Sequence, residues 1–183
     1  MQGKGQLPAN DVYLNRFINH EILAKWERKF TNEFERVSIT NRSPNHLVIM
    51  VKLTQEMIDA FKATKQFAFA TASKNGEPNV TPMGSVFLID PETVWIGNNF
   101  MNRTIKNLKE NPRAVLLVWT PGVKGCLKVK AETRVVESGA DYEKVKEMVK
   151  ARKPDLNCRS LVVLKITEVD DCRSGPEAGK KII

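Results

Sequence analysis

Residues 94–119, VWIGNNFMNRTIKNLKENPRAVLLVW, constrain this chain more than any other stretch. A β-branched and aromatic run (94–97) opens it, and a polar, turn-prone loop (98–101) follows. Asn102 has the chemistry of an N-cap, since its side chain can accept from the first unpaired N–H groups of a helix. The spacing then predicts a helix over 103–110, with Ile105 and Leu108 on one face and Lys106, Lys109 and Glu110 toward water. Pro112 disfavours helical geometry at Asn111 and stops the helix there. Beyond Arg113, AVLLVW (114–119) is an unbroken apolar run, as expected of a strand buried on both faces, with Trp119 in the core.

The helix start carries the chemistry. Its free N–H groups and the positive end of its dipole attract an anion. Arg103 adds a permanent bidentate donor and Thr104 a hydroxyl, which together suit a phosphate. A solvated arginine beside a routine cap is the plainer alternative.

Elsewhere the residues exclude more than they specify. Three cysteines, Cys126, Cys158 and Cys172, form no CxxC pair, which argues against a zinc site or a disulfide scaffold. Cys126 has no resolving cysteine nearby in sequence and is read as an inert packing thiol. His20 and His46 both lie outside the main domain, so neither a Ser-His nor a Cys-His arrangement is evident. No catalytic residue stands out, and no metal is expected; demanding chemistry would fall to a borrowed cofactor. The net charge of +8 is spread over lysines with no aromatic-interleaved ribbon. That pattern favours solvated faces around an anionic cofactor over nucleic acid. Apolar runs fall far short of a membrane span and no signal-like segment opens the chain, so a cytoplasmic protein is expected.

With 183 residues, one domain with an appendage is expected. Residues 1–49 read as an N-terminal helical extension and linker. In it Leu14, Ile18, Ile22, Trp26, Phe30 and Phe34 recur every four positions, widened by Phe17 and Leu23. That stripe could pack on the main domain, clasp a second subunit or bind another protein. Residues 50–183 form the main domain. Thr54 caps a short helix to about Thr64, with Met57, Ile58 and Phe61 inward. A strand follows at 67–72 (FAFATA), then the Asn75-Gly76 turn. A second strand is expected at 80–89 (VTPMGSVFLI), where Pro82 and Gly84 predict a bulge or an edge, or bare backbone against a flat ligand. Asp90-Pro91 closes the next turn, and the strands 94–97 and 114–119 are joined by the helix at 103–110. The alternation of CLKVKAETRVV marks a one-face-buried strand over 125–137. A helix at 141–150 presents Tyr142, Val145 and Val149, and a last strand covers 160–169.

The segment NRTIKNLKENPRAVLLVW resembles the corresponding part of the flavin mononucleotide (FMN)-binding split-barrel family, the pyridoxamine-phosphate-oxidase-like proteins and their small flavin-binding relatives. In element order the likeness spans residues 53 to 136, with a weaker match toward the C-terminus. It implies a mainly β fold: a six-stranded antiparallel split β-barrel of Greek-key type with short flanking helices. By resemblance, Arg103 and Thr104 match the phosphate-binding pair, beside Asn102, and Asn107 matches a supporting helix asparagine. The backbone of Pro82, Met83, Gly84 and Ser85 would lie along the flavin ring, and Asn98 and Asn99 near the ring or ribityl chain. Lys124 and Cys126 would approach the flavin across a homodimer interface.

The resemblance implies an FMN-binding flavoprotein, an oxidoreductase or electron-transfer protein with a small-molecule or protein electron partner. One alternative is the pyridoxamine 5'-phosphate oxidase reaction, whose enzymes carry C-terminal Trp and Arg residues. The tail here, DDCRSGPEAGKKII, has no Trp and only Arg173. The other is a non-catalytic binder of flavin, deazaflavin, heme or nucleic acid.

Overall fold

The structure, a computed structural model, describes residues 51–119 and 126–183. The expected 1–49 helical extension, with its apolar stripe from Leu14 to Phe34, and Lys124 lie outside the described residues. Three helices are described: α1 (Gln55–Ala63), α2 (Arg103–Glu110) and α3 (Ala140–Arg152). Seven strands are described: β1 (Phe67–Ala72), β2 (Pro78–Met83), β3 (Val86–Asp90), β4 (Thr93–Asn98), β5 (Arg113–Trp119), β6 (Cys126–Val136) and β7 (Ser160–Asp171).

All seven form one antiparallel sheet in the order β2-β1-β5-β6-β7-β4-β3. The fold is mainly β, as expected, but with seven strands where six were anticipated. The extra strand comes from residues 80–89, which break at Gly84 and Ser85 into β2 and β3 instead of running through. These two strands occupy opposite edges of the sheet. Three Cα steps from Met83 to Val86 span at most ~11 Å. The sheet must therefore curl until its edges nearly meet, which gives the split barrel. Pro82, which has no N–H to donate, sits in the edge strand β2, where a missing ladder bond costs least.

Turn chemistry sets the first hairpin. Gly76 takes φ +86°, and Ser73 closes the loop through its N–H to the Glu77 carbonyl (2.9 Å). At the start of α1 the Thr54 side chain accepts from the Met57 N–H, and Met57, Ala60 and Phe61 face inward. The main core lies inside the curl: Phe69, Val94, Ile96, Leu116, Val118, Val129, Val162, Leu164 and Ile166 are all fully buried.

A second cluster sits on the opposite face of β3, β4 and β7. There Phe87, Trp95, Leu161 and Val163 are covered by Val145 and Val149 of α3. Close approach is needed where α3 crosses β4, because a Cβ on Gly97 would lie 2.6 Å from a Val149 methyl carbon. The expectation that residues 114–119 are buried on both faces is corrected. Ala114, Leu116 and Val118 point into the core, Val115 and Leu117 are half-buried, and Trp119 is 53% exposed. Trp119 is thus not a core residue; its face of β5 also carries Val115 and Leu117, and none of the three is fully covered.

Candidate functional site

Helix α2 closes one end of the curl and buries Thr104, Asn107 and Leu108. Its polar pair is tied to the first hairpin. Asn107 Nδ2 donates to Thr71 Oγ1 (3.2 Å), Asn79 Nδ2 donates to the same oxygen (3.2 Å), and Asn79 Nδ2 also reaches Thr104 Oγ1 (3.1 Å). The Thr104 oxygen accepts from Asn79, so its own proton is not used in that bond. Arg103 stands beside it with its side chain 66% exposed, held by Glu77 of the hairpin at 3.2 Å. The structure therefore brings Arg103, Thr104 and Asn107 together, and adds Asn79 and Thr71. The contact of Asn79 with Thr104 depends on long-range pairing that local sequence does not show.

Asn102 is corrected as a side-chain cap. Its backbone is helical (φ −113°, ψ −70°), and its side chain accepts no bond from the helix start. That geometry withholds the extended backbone a capping side chain uses to reach the N2 and N3 donors. Asn102 instead faces Arg159, whose Nη2 lies 3.5 Å from Oδ1 and 3.1 Å from the Met101 carbonyl. Asn98 is likewise engaged inward: its amide donates to Ser160 Oγ (2.8 Å), and its Oδ1 accepts from the Met101 N–H (2.8 Å). Asn98 and Asn102 line a charged cavity of about 600 Å³ with Lys106, Lys109, Arg159, Glu110 and Glu137.

A different groove, about 320 Å³, collects Pro82, Met83, Gly84, Ser85, Asn99, Phe100 and Arg152. The 82–85 backbone forms one wall. Asn99 donates to Ser85 Oγ at 3.0 Å, while its carbonyl oxygen Oδ1 is buried with no partner. Such an oxygen is costly to leave unpaired. Arg152 fixes the wall from behind. Its guanidinium stacks on Phe87 at 4.0 Å and donates to the carbonyls of Val86 (3.0 Å) and Gly84 (3.4 Å). Burial pushes Arg152 below its ordinary pKa. Sequence reading ended the helix at 150 and so missed Arg152.

β2 links the groove to the helix start. Thr81 lines the groove and Asn79, two residues away on the same strand face, bonds to Thr104. Two antiparallel strand residues span about 7 Å. Cys126 lies apart from both, opposite Cys172 on β7's continuation. Among the described residues no group of three or more His, Cys, Asp or Glu side chains could hold a metal ion. Among them, too, no helix is long and apolar enough to cross a membrane.

Comparison with known proteins agrees with this architecture. The chain is 43% identical over 136 residues to the uncharacterized protein MJ0282 of Methanocaldococcus jannaschii, covering 73% of this chain and 89% of that one. HupZ of Group A Streptococcus superposes with TM-score 0.60 at 23% identity, over 69% of this chain and 99% of that one. An FMN-binding protein of Syntrophomonas wolfei superposes with TM-score 0.52 at 16% identity, over 84% and 96% of the two chains. These two likenesses concern the fold. The sequence profile described as pyridoxamine 5'-phosphate oxidase matches residues 53–173, from just before α1 to just past β7, and the chain belongs to that family.

Proposed function

We propose that this protein binds FMN and serves as a flavin-dependent oxidoreductase or electron-transfer protein. The observation that carries this reading is the pairing of two features along β2. One end presents Arg103 and the Thr104 hydroxyl; the other presents a backbone-walled groove with the unpartnered carbonyl of Asn99. A ligand with an anionic end and a flat end bearing an N–H donor fits both. The FMN-binding neighbour and the family support flavin among such ligands. When bound, the flavin supplies the electron or hydride chemistry. The chain's own residues bind its phosphate at Arg103 and Thr104, hold the groove wall through Arg152, and orient the ring through Asn99.

A homodimer is part of the proposal. The outer face of β2 and β5 exposes Val80 (65%) and Trp119 (53%), flanked by Pro82, Val115 and Leu117, an apolar surface of the kind that marks an interface. A second copy covering it would abut the groove at Pro82, which belongs to both. The pyridoxamine 5'-phosphate oxidase reaction is disfavoured, because the tail DDCRSGPEAGKKII carries no Trp and a single arginine, Arg173, which is paired with Asp171.

The test is Arg103→Ala in a fluorescence titration with FMN. Loss of one charge-assisted hydrogen bond should weaken binding by about 1.5–3 kcal/mol, roughly 10- to 150-fold in Kd. Unchanged affinity would remove Arg103 from the phosphate site.

A further inference from the structure

Cys126 and Cys172 are far apart in sequence but neighbours in the sheet. The register pairs Leu127 with Asp171 and Lys128 with Asp170, which sets Cys126 opposite Cys172. The Cys172 N–H donates to the Cys126 carbonyl at 2.7 Å. Opposed residues in such a pair hold their Cα atoms roughly 5.5 Å apart and on one face, within the range that disulfides span. Both thiols are unbridged and half-buried, whereas Cys158 is buried and donates to the Ser160 carbonyl. Burial pushes the Cys126 thiol above its ordinary pKa, reinforced by the charge of Cys172, a hydrogen bond between the two thiols and the charge of Asp171; Lys128 opposes this.

We propose that Cys126 and Cys172 are a reversible redox pair that closes to a cross-strand disulfide on oxidation by hydrogen peroxide. One thiolate attacks a peroxide oxygen; the S–O bond forms, the O–O bond breaks, and hydroxide leaves to be protonated as water. The second sulfur then displaces the sulfenic hydroxyl, forming S–S and releasing a second water. Two thiols give up two electrons, and one peroxide becomes two waters. Cys172 lies where the chain leaves β7 and turns back, with Ile182 N–H bonded to the Val169 carbonyl (2.7 Å). The closed form therefore staples the base of this returning tail to the start of β6.

The experiment treats purified full-length protein with hydrogen peroxide, then counts free thiols and maps peptides. The expected result is a fall from three free thiols to one, a Cys126–Cys172 linked peptide, and full reversal by dithiothreitol. Closure should be faster at pH 8.5 than at pH 7, because the thiolate is the attacking species. Cys158→Ser should close as the wild type does. Three surviving thiols, a bond to Cys158 or a bond only between two chains would overturn the proposal. The thiol count needs no flavin, so its failure and that of the FMN reading are separable.

Discussion

Arg103 and Thr104 are adjacent in sequence yet sit in opposite surroundings, one with its side chain 66% exposed and the other 4% exposed. The Arg103–Glu77 pair is an exposed ion pair, worth about 0–1 kcal/mol, so a phosphate can take the guanidinium at little cost to the fold. Arg103→Ala should accordingly bind FMN more weakly while keeping its melting temperature. Arg103 and Thr104 could be named from their positions at the start of a short helix, and Asn107 from the family resemblance. Asn99's unpartnered oxygen and Arg152's grip on the groove wall could not, since burial and cross-element contacts decide both. That Cys172 neighbours Cys126 could not be read locally either, because the two meet by strand pairing. A pH effect belongs to Asp171. Hydrogen bonds from the Arg173 side chain and backbone, with its charge, hold this carboxyl below the usual carboxylate range. A depressed folded-state pKa contributes stability above about pH 4, and that contribution is lost as pH falls through the folded value. The melting temperature should thus fall more steeply below pH 4 in wild type than in Arg173→Gln, and identical acid profiles would contradict it.

Elements were readable wherever local pattern and burial agree. FAFATA and RTIKNLKE form a strand and a helix at the bounds their periodicity predicts. β2 and β3 were fused in the reading because VTPMGSVFLI keeps strand-like residues on both sides of the break; only sheet order shows that they sit on opposite edges. β5 looked doubly buried because its outward residues are as apolar as its inward ones. The crossing of α3 over β4 gives a sharp prediction. Gly97→Ala places a Cβ 2.6 Å from a methyl carbon of the fully packed Val149. Such overpacking costs about 1–3 kcal/mol, measurable by urea unfolding. An unchanged midpoint would show that α3 can shift freely.

For the molecule as a whole, two edges joined by two residues force the sheet to curl, and the curl leaves one apolar flank exposed. Placing charges there, in Val80→Glu with Trp119→Glu, should shift the protein from dimer to monomer in sedimentation while its far-ultraviolet circular dichroism is kept. A wild-type monomer at high concentration would contradict the homodimer. The most direct test of the flavin reading is an absorption spectrum of the purified protein after FMN is added and the excess removed by gel filtration. Flavin bands that travel with the protein, and that Arg103→Ala diminishes, are the predicted result. A protein peak with no flavin absorbance would contradict the assignment of the β2 groove and helix start as an FMN site.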